Sequence, residues 1–232
     1  MKKTLTLLAL TITFSMNAQL TAVTEGYNTG QRLSTSNASN HGDIGSNAVD
    51  LSYSNSSSST RGATGNYSTA MGRSTTASGD YSTVMGYQTT ASGTVATAMG
   101  FNSTASGFTS IAMGSYSTAS ADYSTAMGRE TTASGSYSTA MGYQSTASGN
   151  ASTAMGLYTT ASDWASLVIG QYNSSGSSVT NSASSFSTSN TAFVVGNGTD
   201  SSNKSDAFKV MFNGDTTAVS YTHLTLPTNR EV

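Results

Sequence analysis

The chain has 232 residues, of which 36% are hydrophobic and 9% are charged, with one proline and a formal net charge of -2 at pH 7. This composition disfavours an ordinary globular core, and a charge near zero without basic clusters gives no electrostatic reason to expect nucleic acid. There is no cysteine, which excludes disulfides, thiol catalysis and thiolate metal sites.

The N-terminus has the pattern of a secretory signal peptide. Lys2 and Lys3 precede the apolar run 5–14, and Ala18 suits the residue before a cleavage site. Residues 1–18 are therefore predicted to be removed on export. No later stretch is long and apolar enough to cross a bilayer as a helix, so no membrane span is expected in this fragment.

Residues 19–65 form a polar lead-in rich in Ser, Asn and Thr, with one patterned island at 42–54. In it Val49, Leu51 and Tyr53 alternate with Ala48, Asp50 and Ser52, which is the period of a strand with one buried face. We interpret this island as a strand that caps the open end of a repeat array.

A repeat without insertions or deletions occupies residues 66–172. Its most regular glycines step by fourteen residues, at Gly72, Gly86, Gly100, Gly114, Gly128, Gly142, Gly156 and Gly170. Constant spacing is expected of coils that stack through main-chain hydrogen bonds. The consensus, x-S-T-A-M-G-x-x-T-T-A-S-G-x, allows two short strands and two turns in each coil. A helix is disfavoured by the density of Thr and Gly.

The glycines are predicted to supply positive φ in both turns of a coil. The first turn follows the methionine and always contains glycine. The second turn is less strict, because Ala121 and Asp163 replace the glycine found at Gly79, Gly93, Gly107, Gly135 and Gly149.

The alternation within a strand separates the alanines from the methionines. Thr69 and Met71 share one face, whereas Ser68 and Ala70 share the other. A coil of fourteen residues is too thin for bulky side chains, so Ala70, Ala77 and their counterparts are expected inside. The outward side chains form one apolar row, the methionine row: Met71, Met85, Met99, Met113, Met127, Met141, Met155 and Ile169. An exposed apolar row of this length is expected to be covered by a partner, and the simplest partner is an identical chain.

These "STAMGxxTTASG" units resemble the YadA-like head repeats of trimeric autotransporter adhesins, which are bacterial surface adhesins. The resemblance covers residues 66–172 and implies an all-β fold, a left-handed parallel β-roll (a β-solenoid) in a side-by-side homotrimer at the surface of a Gram-negative bacterium. Met stands where that family usually has Ile or Val before glycine. The stalk and membrane-anchor barrel of the family do not follow, which predicts a C-terminally truncated fragment.

After the repeats, residues 173–190 are a Ser/Asn-rich linker, and 191–218 return to strand patterning. Phe193–Val195 and Ala207–Phe212 are predicted strands, and Phe193, Phe208 and Phe212 favour a small closing cap or neck. Residues 219–232 depart from this composition and resemble translated sequencing-adaptor DNA. We expect a non-native tail there and a natural protein that continues.

No pattern in the sequence argues for catalysis, a metal or a cofactor. Ser is abundant, but no G-x-S-x-G elbow accompanies His41. Variable turn residues on a constant scaffold are candidate ligand contacts, and this contact set is Arg73, Tyr87, Phe101, Phe108, Arg129, Tyr143 and Trp164. The alternative explanation is that these exposed turn residues vary in sequence without binding a ligand. The aromatic members could equally pack between coils or subunits.

Three functions remain open at this point. The leading one is a non-enzymatic, exported structural and adhesive head that attaches cells to host, matrix or biofilm components. The second is a segment of a phage-like or secreted fibre. The third inverts the strands, with Met inside and a flat Ser/Thr/Ala surface outside, as a monomeric solenoid that binds ice or a crystalline polymer.

Overall fold

A computed structural model describes residues 20–218. The predicted signal peptide and the predicted non-native tail lie outside these residues. The chain divides into two units, Met1–Thr131 and Thr132–Val232, and the described part of each is a parallel β-solenoid. Within residues 20–218 the helical structure is confined to one 3-10 turn, Ala38–Asn40. The all-β, β-solenoid prediction is therefore confirmed.

The first unit stacks two columns of strands. The wider sheet contains β1 Leu20–Glu25, β2 Asn28–Leu33, β3 Val49–Tyr53, β5 Thr69–Arg73, β7 Thr83–Tyr87, β9 Thr97–Phe101, β11 Ile111–Ser115 and β13 Thr125–Arg129. The narrower sheet contains β4 Gly62–Ala63, β6 Thr76–Ala77, β8 Thr90–Ala91, β10 Thr104–Ala105 and β12 Thr118–Ala119. All neighbouring strands pair in parallel except β1, which pairs with β2 in antiparallel fashion.

The second unit has the same two columns and ends differently. Its wider sheet contains β15 Thr139–Tyr143, β17 Thr153–Leu157, β19 Leu167–Gln171, β20 Thr191–Asn197, β21 Asp206–Met211 and β22 Thr216–Ala218. Its narrower sheet contains β14 Thr132–Ala133, β16 Thr146–Ala147 and β18 Thr160–Ala161. The order is parallel up to β20 and antiparallel from β20 to β22, so the solenoid stacking stops there.

In both sheets, equivalent residues of successive coils lie opposite each other. Met71 lies opposite Met85, which lies opposite Met99, and Ala77 lies opposite Ala91. Thr is β-branched and suits the pleated surface, whereas the small Ala lets the two sheets approach closely. The interior of the repeats consists mainly of Ala, Ser and Thr: Ala70 and Ala77 are 0% exposed, and Ser68 and Thr75 are buried with them. Val84 and Val168 replace alanine at two of these interior positions and are also 0% exposed. The prediction of an alanine interior is confirmed.

The buried alanines also exclude the alternative in which methionine side chains point into the coil. Met71 and Met99 are half-buried and Met85 is 40% exposed, all on the face opposite Ala70. The solenoid that places Met inside, on which the ice-binding or polymer-binding alternative depended, is therefore wrong. The physical reason is width, because an interior filled by Ala on both sheets has no room for methionine side chains.

Glycine has different roles in the two turns. First-turn glycines such as Gly72 and Gly86 have φ of 110° and 125°, as predicted. The prediction is wrong for the second turn, where Gly79 does not lie in the left-handed region. A Cβ on Gly79 would overlap the carbonyl oxygen of Gly93, so this glycine is required for close approach of the coils.

The positive φ of the second turn falls instead on a residue with a side chain. Tyr67, Tyr81 and Tyr123 have φ of 55°, 59° and 57°. Each first turn also has a residue with positive φ after its glycine, for example Tyr116 at 56°. Left-handed conformations cost non-glycine residues on the order of 1 kcal/mol each, and the stacked hydrogen bonds of the neighbouring coils hold them there. Tyr67 N, for instance, donates to Ser46 O at 2.8 Å.

The N-terminal coil is closed by buried charges. Strand β3 buries Asp50 and Ser52, whereas Val49 and Leu51 are half-buried on the other face. Asp50 lies opposite Ala70 in register, so it occupies an interior position of the roll. The island at 42–54 therefore does contain a strand with one buried face, but that face is the polar one.

Segment 173–190 has no strand and is nevertheless held firmly. The buried Asp163 carboxylate accepts hydrogen bonds from Thr180 N at 2.6 Å and Thr191 N at 2.8 Å. Asn190 Nδ2 donates to Ser182 O at 2.8 Å. Asp163, which replaces glycine in a second turn, thus supplies the acceptor that fixes this segment.

Candidate functional site

The outer face of the wider sheet carries the methionine row. In the first unit it runs from Met71 to Met127, and in the second it comprises Met141, Met155 and Ile169. The row is half-buried apart from the more exposed Met85. The threonines that share these strands, such as Thr69 and Thr97, are half-buried beside it. Each unit thus presents a regular, largely uncharged stripe of apolar and hydroxyl side chains.

Three members of the contact set meet on the first-turn edge of the first unit. The Arg73 guanidinium lies 5.6 Å from the centre of the Tyr87 ring, a cation–π contact. Tyr87 stacks on Phe101 at 5.3 Å, and Phe101 meets Tyr116 edge-on at 5.3 Å. Arg129 lies on the same kind of turn, and its Nε donates to Glu130 Oε1 at 3.0 Å. The structure therefore joins Arg73, Tyr87 and Phe101 into one continuous group.

The remaining members of the set lie elsewhere. Phe108 is on the second-turn edge, 5.4 Å from Tyr123. In the second unit Tyr143 meets Tyr158 at 5.3 Å. Trp164 belongs to an end cluster with Phe186 and Phe212, at 5.6 and 6.1 Å. The aromatic members therefore do pack between coils, which was the open alternative, although Phe101 and Phe108 also remain exposed.

Sequence reasoning missed the tyrosines that carry positive φ. Tyr67 and Tyr81 stack with ring centres 5.0 Å apart and an interplanar angle of 2°. Tyr158 and Tyr172 stack at 4.6 Å. A signal was present, because tyrosine recurs two residues after a turn glycine, for example at Tyr67, Tyr81 and Tyr116. Tyrosine was not singled out because a left-handed conformation is uncommon for a residue with a bulky side chain.

The buried charges beside β3 are the main group of ionisable side chains in the first unit. Arg32 Nη1 donates to Glu25 Oε1 at 2.7 Å, and Arg32 Nη2 donates to Gly42 O at 2.9 Å. His41 Nδ1 and Arg32 Nε lie 3.0 and 3.3 Å from Asp50 Oδ2, and neither contact has the angles of a hydrogen bond. His41 thus faces Asp50, and Ser52 Oγ donates to the other oxygen of Asp50 at 2.6 Å.

Two carboxyl groups of this cluster are held in the charged form. Burial raises the pKa of Asp50, but the His41 contact and the hydrogen bonds from Ser52 outweigh burial and leave that pKa below its usual value. Burial likewise raises the pKa of Glu25, while Arg32 and the Ile44 N–H lower it by more. Because His41 and Ser52 both contact Asp50 and not each other, the arrangement is that of a structural ion cluster rather than a nucleophile activated by a base.

Two structural features are absent from residues 20–218. This part of the chain brings together no group of three or more His, Asp or Glu side chains with metal-ligand geometry. It also has no helix with the length and hydropathy to cross a bilayer.

The repeat region matches a family model described as the YadA head domain repeat. The matched segments are residues 63–89, 77–103, 91–107, 105–131 and 133–159. A search of curated proteins returned no match. The family match confirms the resemblance drawn from the sequence, and residues 63–159 are similar to a YadA head region.

Proposed function

We propose that this chain is the head of a trimeric autotransporter adhesin, a structural and non-enzymatic module. In this proposal the coils are left-handed turns of fourteen residues, and three chains pack side by side. The head is exported to the surface of a Gram-negative bacterium, where it binds host, matrix or biofilm components. It needs no cofactor.

One observation carries the proposal: alanine fills the interior and the methionine row faces outward, in a chain whose repeats match YadA heads. Full burial of one such side chain is worth about 1.5–3 kcal/mol. Packing the row of one chain against the rows of two others would bury it. We therefore place the trimer interface on Met71, Met85, Met99, Met113, Met127, Met141, Met155 and Ile169.

The contact set supports a role in adhesion. Arg73, Tyr87 and Phe101 are linked on one turn edge, and main-chain hydrogen bonds of stacked coils hold the edge in place. A rigid scaffold with variable turns is suited to display, and three copies would multiply a weak affinity for a surface.

The trimer is tested by changing Met99, Met113 and Met127 together to Ser and measuring the mass in solution by light scattering. We expect the wild type to be a trimer and the variant to dissociate, with each change weakening association by about tenfold or more. Circular dichroism would show whether the separated chains keep their strands.

The matched control changes Thr90, Thr104 and Thr118 to Ser on the outer face of the narrower sheet. These residues lie in neighbouring coils of the same unit, and the control should keep the trimer mass. A folded monomeric wild type would refute the trimer. If the methionine variant keeps the mass of a trimer, the methionine row is not part of the trimer interface.

A further inference from the structure

Both lysines of residues 20–218 meet at one cavity in the second unit. Lys204 precedes strand β21, and Lys209 lies within that strand. The cavity has a volume of about 280 Å³, and its lining includes Lys204, Lys209, Ser174, Ser175, Asp206 and Thr217. In a chain with 9% charged residues, two ammonium groups on one small cavity are a notable local concentration of positive charge.

The carboxylate in this cavity is already engaged by the main chain. Asp206 Oδ1 accepts a hydrogen bond from Ser174 N at 2.8 Å, and Asp206 Oδ2 accepts one from Ser175 N at 2.8 Å. Among the described residues, neither Lys204 nor Lys209 lies within ion-pair distance of a carboxylate. The carboxylate of Asp206 is therefore engaged by backbone amides, and the two lysines that line the cavity have no carboxylate partner among the described residues.

The hydrogen-bonding groups that remain unused are mostly donors. The hydroxyls of Ser174, Ser175 and Thr217 make no hydrogen bond to another described residue, and neither do the two ammonium groups. Lysine can only donate, and hydroxyls can donate as well as accept. A ligand that satisfies such a set must carry negative charge and several acceptor oxygens on one compact centre.

We propose that this cavity binds a sulfate or phosphate group, with Lys204 and Lys209 as the charged contacts. The volume admits one such group with its water shell but not a whole sugar chain, so a polymer would offer one group at a time. The two lysines and Asp206 leave one net positive charge at the site, although the whole chain carries -2. The site is independent of the methionine row and of the contact set.

The test measures binding of inorganic sulfate and inorganic phosphate to the full chain by titration calorimetry. Changing Lys204→Gln and Lys209→Gln together should lower the affinity by at least about tenfold, because each lost contact is a charge-assisted hydrogen bond. Lys204→Arg with Lys209→Arg should bind within a few-fold of the wild type. No binding by the wild type, or equal binding by the glutamine variant, would overturn the proposal.

A second control separates a local site from general electrostatics. Ser78→Lys and Ser92→Lys, on exposed turns of the first unit, restore the net charge of the glutamine variant at a distance from the cavity. Binding should stay lost, and its recovery in this variant would refute a local site.

A further arm compares a sulfated polysaccharide with the same polymer after desulfation. If the sulfated polymer binds more tightly than the free ion, the natural ligand group belongs to a polymer. If the polymer and the free ion bind equally, the natural ligand is the free ion. Both results support the site. The lysine changes lie outside the methionine row and should leave the mass in solution unchanged, so failure here is distinguishable from failure of the proposed trimer.

Discussion

At the scale of single residues, neighbours in one strand have opposite constraints. Ala112 is 0% exposed between two sheets, and Met113 beside it is half-buried on the outer face. The interior is packed with small side chains, and valine, at Val84 and Val168, is the largest that occupies this position in other coils. We therefore expect a side chain larger than valine to exceed the space available. The outer position accepts volume-conserving changes.

Ala112→Leu should therefore lower the free energy of unfolding by about 3 kcal/mol, because the longer side chain must push the two sheets apart. Met113→Leu is the matched control and should cost less than about 1.5 kcal/mol. Thermal unfolding followed by circular dichroism compares the two. Equal melting temperatures would show that the interior is not tightly packed.

At the scale of elements, each unit uses polar side chains where its regular stacking stops. In the first unit Asp50 takes an interior position that the repeats give to alanine, and Arg32 and His41 contact its carboxylate. In the second unit Asp163 holds segment 173–190 through two main-chain amides. Strands at the end of a solenoid have unpaired main-chain groups, and buried polar side chains with several partners can satisfy them.

The segment held by Asp163 gives a prediction for the second unit. Asp163→Ala should lower the free energy of unfolding by about 2 kcal/mol or more, because it leaves the amides of Thr180 and Thr191 without an acceptor. Asp122→Ala, which frees only the exposed amide of Phe108, should cost less than about 1 kcal/mol. Hydrogen exchange should show lost protection at Thr180 and Thr191 in the first variant, and unchanged protection would contradict this role.

The buried charges of the first unit predict a dependence of stability on pH. The pKa values of Glu25 and Asp50 are both lowered in the folded chain, so their contribution to the free energy of unfolding is fully present above the unfolded pKa values of about 4. It is lost as the pH falls through the lower folded values. We expect the melting temperature to fall by several degrees between about pH 5 and pH 3.

Glu25→Gln provides the comparison for this pH effect. The variant should melt lower than the wild type at pH 7, because Arg32 loses a charged partner, and should lose less stability on acidification. Parallel melting curves for the two proteins across this pH range would show that Glu25 does not contribute.

At the scale of the whole molecule, the surface is suited to repeated weak contacts. Charged residues are sparse, and the outer side chains are mainly hydroxyl, apolar and aromatic. Few long-range electrostatic forces can therefore steer a partner to the chain. Attachment through the proposed head would then depend on many copies of short-range contacts, which is the advantage of a trimer.

Much of the repeat could be predicted from the sequence because its information is local. The alternation of Ala70 and Met71 has the period of a strand, and a constant spacing of glycines requires coils in register. These two facts placed alanine inside and methionine outside. The contact set stays a prediction. Its members lie on different edges and several of its aromatic rings pack on neighbouring rings, which the sequence alone does not indicate.

The sequence by itself determined the solenoid, the interior of the coils and the outward methionine row, because each follows from neighbours within fourteen residues. Only the tertiary structure decided that Asp50 is buried with Arg32 and His41, that tyrosines adopt positive φ, and that Lys204 and Lys209 meet at one cavity. Contacts between side chains of different strands and turns, or backbone contacts between stacked coils, create these features. A local pattern carries no information about them, because the energy of a buried charge or a strained turn is set by the partners that folding brings to it.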